Sequence, residues 1–262
     1  MKLAILQIDP TKNNFENNIL KISELLLAVK AVDLIVLPEL WAVGFMDFNN
    51  FKVSAQKMDG PLVKSIQKIA KEKKNDICMG SFVEECDKKF YNTTVYINKH
   101  GTIQNYYRKL HLFSHKSSEA EILTAGSDAT VFATDFVPMA IATCYDLRFP
   151  ELFRHLQTKG AKLFIVPAAW PQKRIAHFRL FCQSRAVENL AYVVGANGCG
   201  GEENKKLGGH SMVVDPFGDI ILEGDELETT LYAELDLQKV DYWRTHFSVL
   251  ADKKPYSFWN DL

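Results

Sequence analysis

Short, fully apolar runs alternate with stretches of helical spacing along this chain, and that alternation limits the folds open to it most severely. Residues 33–37 are an aspartate followed by Leu34, Ile35, Val36 and Leu37, ended by Pro38. A run this short and this apolar suits a strand covered on both faces, as parallel strands are. Residues 2–8, 137–143, 162–167 and 191–196 have the same character. Between them lie helical patterns. Phe15, Ile19, Ile22, Leu25, Leu26 and Val29 recur at helical intervals, as do Leu62, Val63, Ile66, Ile69 and Ala70 behind Pro61. Residues 152–156 start another helix, and residues 174–188 read as a long amphipathic one. Residues 9–14 are turn chemistry with an Asn or Asp as helix cap.

Hairpins are inserted in this alternation. Residues 76–83 and 91–97 read as strands joined by a charged turn over 84–89, and residues 102–107 extend the meander after a turn at 98–101. Residues 114–126 and the glycine-rich 197–209 read as loops. Residues 210–214 and 219–223 form a hairpin, residues 231–235 a last strand, and the remainder a tail of mixed character. Helix–strand alternation implies an α/β fold with a helix-covered sheet. So many strands in 262 residues fit two sheets face to face with helices outside, in one domain spanning 1–262.

Charge excludes several roles. The chain carries 31 basic and 32 acidic residues, a net charge of -1, so neither nucleic acid nor an anionic membrane surface is an expected partner. No apolar run reaches transmembrane length, and the first residues lack the long apolar core of a signal peptide. The five cysteines show no paired CxxC spacing. Free thiols in a reducing cytoplasm are therefore expected.

Three reactive residues share one context. Glu39 follows the strand ended by Pro38, Lys109 follows residues 102–107, and Cys144 follows residues 137–143. Ligand sites in α/β sheets gather at the carboxyl ends of strands. The types also fit together. A carboxylate accepts a thiol proton and returns it to a leaving amine. An ammonium stabilises a thiolate and donates to an oxyanion beside the N–H of Tyr145. That set suits acyl transfer from an amide or nitrile carbon.

Around these residues the chain resembles the carbon–nitrogen hydrolase (nitrilase) superfamily. Residues 37–40, 108–113 and 144–152 look like its three signatures, in its order of Glu, Lys and Cys. Asn92, residues 185–189 and residues 209–218 fit as well. The resemblance implies an α-β-β-α four-layer sandwich, homodimers that extend the layers, and no cofactor. It implies Glu39 as general base, Lys109 as oxyanion stabiliser and Cys144 as nucleophile forming a thioester. A further glutamate is expected between the Lys and the Cys. Glu119 matches the family spacing to Gly126 better than Glu121 does. Residues 144–152 with residues 168–174 look most like the ω-amidase group, which hydrolyses 2-oxoacid monoamides; the branch acting on deaminated glutathione shares most of these motifs, and a non-catalytic binding subunit is the alternative that loss of Glu39, Lys109 or Cys144 would favour. The substrate implied is thus a small-molecule amide.

Four residues are candidates for substrate binding: Tyr145, Arg148, Trp170 and Arg174. A short dicarboxylate monoamide needs a cation for its free carboxylate, which Arg174 or Arg148 supplies. Arg148 also fits as a brace of its own turn through Glu151 or Asp146, the reading its position favours. Arg185 and Glu188, three apart on a helix, read as a structural ion pair. His177 reads as core or interface. His111 and His115 lack an evident carboxylate co-ligand, so no metal site is expected.

Overall fold

The computed structural model describes residues 1–10, 15–45, 47–202 and 205–254. The cap expected within 9–14 falls largely outside them. Among the described residues the strands are β1 (Lys2–Gln7), β2 (Leu34–Val36), β3 (Asp76–Cys86), β4 (Lys89–Ile97), β5 (Ile103–Arg108), β6 (Val131–Phe132), β7 (Met139–Ile141), β8 (Leu163–Ala168), β9 (Tyr192–Asn197), β10 (Cys199–Gly200), β11 (Leu207–Gly208), β12 (Met212–Val214), β13 (Ile220–Glu223) and β14 (Thr229–Glu234). The helices are α1 (Phe15–Ala28), α2 (Pro61–Lys73), α3 (Glu119–Ile122), α4 (Pro150–Thr158), α5 (Ile175–Asn189) and α6 (Gln238–His246).

Two six-stranded sheets form, in the orders β14-β1-β2-β3-β4-β5 and β13-β12-β9-β8-β7-β6. Each has a parallel centre, β1-β2-β3 in one and β7-β8-β9 in the other, with antiparallel strands outside. Side chains of period two divide each central strand between two cores. Leu3 and Ile5 join Leu163, Ile165 and Val194 between the sheets, while Ala4 and Leu6 face Ile22, Leu26 and Ile66 of α1 and α2. Phe164 and Val166 face Phe153, Leu156, Phe178 and Ala186 of α4 and α5. Helix, sheet, sheet, helix is therefore the order of layers.

Several expectations shift. The meander strands run on to Cys86 and resume at Lys89, leaving only Asp87 and Lys88, both at positive φ, in the turn. The span 114–126 contains α3, and 197–209 contains the β10–β11 pair. The tail holds α6, whose mixed pattern hides its helical character. At two residues, β6 is too short to give a periodic signal. Helix α5 buries Phe178 and Cys182 but leaves Leu180 and Val187 exposed, so apolar residues lie on both its faces.

Candidate active site

Glu39 comes from the turn after β2. That turn packs into an irregularity of β3 between Cys78 and Ser81. Gly80 sits there at φ +66°, and a Cβ on it would lie 2.0 Å from the Pro38 carbonyl oxygen. Only glycine permits this approach. The Ser81 hydroxyl accepts from the Leu40 N–H at 3.0 Å and fixes the turn from the other side.

Lys109 leaves β5, and its backbone N–H donates to the Asn92 carbonyl at 2.9 Å. The chain then folds back through α3, so that the Gly126 N–H reaches the Lys109 carbonyl at 2.9 Å. This return carries Glu119 beneath the Lys109 side chain.

Cys144 opens a 3₁₀ turn, Cys144–Arg148, after β7 and just before α4. Its φ is +49°, a strained value for a residue with a Cβ. Asp146, fully buried, holds the turn. One of its oxygens accepts from the Thr143 N–H (2.8 Å) and the Tyr107 hydroxyl (2.7 Å). The other meets the His111 N–H (3.1 Å) and His111 Nδ1 (2.7 Å). Behind the turn, Arg185 donates through Nε and Nη2 to the Leu147 carbonyl and pairs with Glu188 at 3.0 Å. The expected Arg185–Glu188 pair thus also anchors the elbow.

At the centre lies a closed polar cluster. Lys109 Nζ donates to Glu39 Oε1 at 2.8 Å and to Glu119 Oε1 and Oε2 at 2.9 and 3.1 Å. Asn92 Nδ2 donates to the same two Oε1 atoms at 2.8 and 3.0 Å. The Ala169 N–H, beyond β8, donates to Glu39 Oε2 at 2.9 Å, and the Phe113 N–H to Glu119 Oε2 at 2.8 Å. All four side chains are buried. The Cys144 thiol lies beside the Glu39 carboxylate.

Burial pushes the Glu39 carboxyl up from its ordinary value; Lys109 pulls it back and Glu119 adds to the rise. Burial pushes the Cys144 thiol well up, and the Glu39 charge pushes it further, against Lys109. The resting sulfur is therefore a thiol beside a base. Burial alone would depress the Lys109 ammonium, but Glu119 and Glu39 outweigh it and hold Lys109 charged. The cluster can move one proton from sulfur to carboxylate while keeping a fixed cation beside both.

Above Cys144 opens a pocket with about 300 Å³ of empty space, lined by Phe45, Phe113, Tyr145, Trp170 and Pro171, with Arg148 and Arg174. All four substrate-binding candidates lie on it. Arg148 pairs with neither Glu151 nor Asp146. Asp146 is already filled by four other contacts, so the brace favoured from sequence is not formed. Instead the guanidinium lies over Trp170 (5.2 Å) and Phe181 (5.2 Å), with its Nη2 3.3 Å from His177 Nδ1. Arg174 lies over Phe113 at 5.5 Å. Among the described residues neither arginine has a carboxylate partner. His177 is exposed rather than core. His111 stacks on Phe149, and no metal-ligand cluster occurs among the described residues.

Sequence reasoning passed over the Ala169 N–H, the hold of Asp146 on Thr143, Tyr107 and His111, and the central place of Asn92. A signal for Asn92 exists. It begins a buried polar run, Asn92 to Thr94, inside a strand whose other half is apolar.

A buried thiol, a buried carboxylate and a fixed ammonium converge here from two facing sheets, in a chain that is a hydrolase of amide C–N bonds. The chain belongs to the carbon–nitrogen hydrolase family, whose sequence model matches residues 2–245. Among its relatives, a 2-oxoglutaramate amidase of Paenarthrobacter nicotinovorans is 34% identical over 249 residues, covering 91% of this chain and 84% of the relative. A 2-oxoglutaramate amidase of Bacillus subtilis is 37% identical over 224 residues, covering 85% of each. The crystal structure of Saccharomyces cerevisiae Nit3, from the nitrilase superfamily, superposes with a TM-score of 0.86 at 28% identity, covering 94% of both chains.

Proposed function

We propose that the chain hydrolyses the distal amide of short dicarboxylate monoamides of the 2-oxoglutaramate type, with the whole of 1–262 acting as one catalytic unit. Cys144 Sγ attacks the amide carbon as its proton passes to Glu39. The oxyanion of the tetrahedral intermediate is met by Lys109 Nζ and the Tyr145 N–H. Glu39 returns the proton to the leaving nitrogen, ammonia departs, and a thioester remains. Water then attacks the thioester while Glu39 takes its proton. Collapse releases the dicarboxylate and restores the thiol with that proton. Glu119 holds Lys109 and takes no proton.

One observation carries the substrate assignment. Two arginines without carboxylate partners among the described residues stand on the small pocket that opens over the nucleophile. An unneutralised guanidinium in an apolar rim favours a planar carboxylate, which it grips with two parallel N–H groups. Tyr145 and Trp170 wall the acyl chain. The names of the Paenarthrobacter and Bacillus relatives support the same reading. As a cavity the pocket is only about 30 Å³, which favours a short substrate over a peptide-length one.

The test is parallel hydrolysis of 2-oxoglutaramate, succinamate and deaminated glutathione, following the amine released. The expected order places 2-oxoglutaramate first. No turnover of 2-oxoglutaramate beside ready cleavage of deaminated glutathione would remove the assignment. The exposed apolar residues Leu180, Val187 and Phe217 support a homodimer through this face, and a nucleophilic thiol supports a cytoplasmic setting.

A further inference from the structure

Asn92 is fully buried in the middle of the polar cluster, and its two ends are treated unequally. Its Nδ2 donates to Glu39 and to Glu119, while its Oδ1 has no hydrogen-bond partner among the described residues. Turning the amide over would set its carbonyl oxygen against two carboxylate oxygens, a repulsive contact. The orientation is therefore dictated by the carboxylates, and a buried carbonyl is left unsatisfied as a result. A side chain kept at that cost is kept for its donors.

The donors close a ring. Glu39 Oε1 and Glu119 Oε1 each accept from both Lys109 Nζ and Asn92 Nδ2. With two N–H groups on it, Glu39 Oε1 has no room for a proton. Glu39 Oε2 accepts only the Ala169 N–H among the described contacts and keeps a lone pair free.

We propose that Asn92 is a positioning residue that keeps Glu39 ionised and directs the incoming thiol proton to Oε2. The inference rests on Glu39 serving as the base. Lys109 alone does not achieve this. It is shared between Glu39 and Glu119, and the charge of Glu119 itself opposes ionisation of Glu39. The second N–H on each Oε1 offsets that repulsion. The groups facing the Glu39 carboxylate are Lys109, Glu119, Cys144, Asn92 and the Ala169 N–H, so the ring includes every charged side chain in contact with it.

The test is the pH profile of kcat/KM for Asn92→Leu, with Asn92→Asp as a second variant. Leu keeps the heavy-atom count and branching of Asn, though it is bulkier, and removes both donors together with the orphaned carbonyl, so a packing role would largely survive it where the variant folds. Loss of the donors makes Glu39 harder to ionise, so the acid limb should move to higher pH by about one unit or more. In neutral solution kcat should fall about tenfold or more, with KM within about twofold. Asn92→Asp loses at least one donor and should move the limb the same way. Alkylation of Cys144 by iodoacetamide across the same pH range should report the same displacement without turnover. An acid limb at the wild-type pH in either folded variant overturns the proposal. Glu39→Gln separates the two readings. If it keeps turnover and the limb, the base assignment itself fails. If it abolishes turnover while the Asn92→Leu limb stays in place, the role given to Asn92 fails alone.

Discussion

Lys109 and Arg148 are both cations beside the pocket, yet their surroundings assign them opposite kinds of work. Lys109 is fully buried, held by two carboxylates, and rigid before substrate arrives. A donor so fixed acts where charge develops, in the transition state. Lys109→Ala should therefore lower kcat by ~10²–10³-fold with a small change in KM. Arg148 lies at the rim with no anionic partner among the described residues, so it acts on the ground state as well. Arg148→Ala should raise KM for 2-oxoglutaramate by about tenfold to a hundredfold, the loss of a charge-assisted hydrogen bond, and leave kcat closer to wild type. Steady-state kinetics of the two variants checks the contrast. An unchanged KM for Arg148→Ala removes it from carboxylate binding. At this scale the sequence displayed Glu39, Lys109 and Cys144 through their motifs. It did not display which partner Arg148 takes, because Asp146 sits equally near along the chain and only the fold shows its oxygens already filled.

The elements present these side chains through their ends rather than their lengths. β2, β5, β7 and β8 each stop one or a few residues before a group of the site. What holds each end is a contact distant in sequence: Gly80 under Pro38, Asn92 under Lys109, Asp146 between His111, Tyr107 and Thr143. Asp146 is the strongest of these, because it ties the segment after β5 to the strained turn that carries Cys144. Asp146→Asn would set an amide N–H against at least one of its donors. A cost of about 1–3 kcal/mol in stability is expected, with the elbow released. Thermal unfolding should show the first, and slower alkylation of Cys144 under conditions where the fold persists should show the second. Wild-type alkylation in a destabilised protein would separate Asp146 from the elbow. Strands and helices with full periodicity were legible beforehand, as α1, α2 and the central strands show. Elements that depend on tertiary support were not: β6 is two residues long, α3 a single turn folded over Lys109, and α6 has no clean apolar stripe.

Across the whole molecule, the two sheets divide the chemistry between them. Glu39, Asn92 and Lys109 stand at the first sheet, with Glu119 folded beneath; Cys144 and Ala169 stand at the second. The chain passes from one to the other through exposed residues at Ser127 and Asp128. One strand crosses back, since β14 pairs with β1 along its whole length. The molecule can thus be pictured as two separable parts, one holding the carboxylates and the ammonium, the other the sulfur and a strand that completes its counterpart. If the gene were divided after Ser127 and the halves made apart, neither polypeptide should turn over an amide alone. Mixed, they should recover activity whose onset rises with the concentration of each, as a two-body encounter requires. Activity in the 127-residue half by itself, which lacks the sulfur, would contradict the arrangement at once. Divided in this way, the enzyme would report, by the ammonia it releases, whether two other proteins fused to its halves had met.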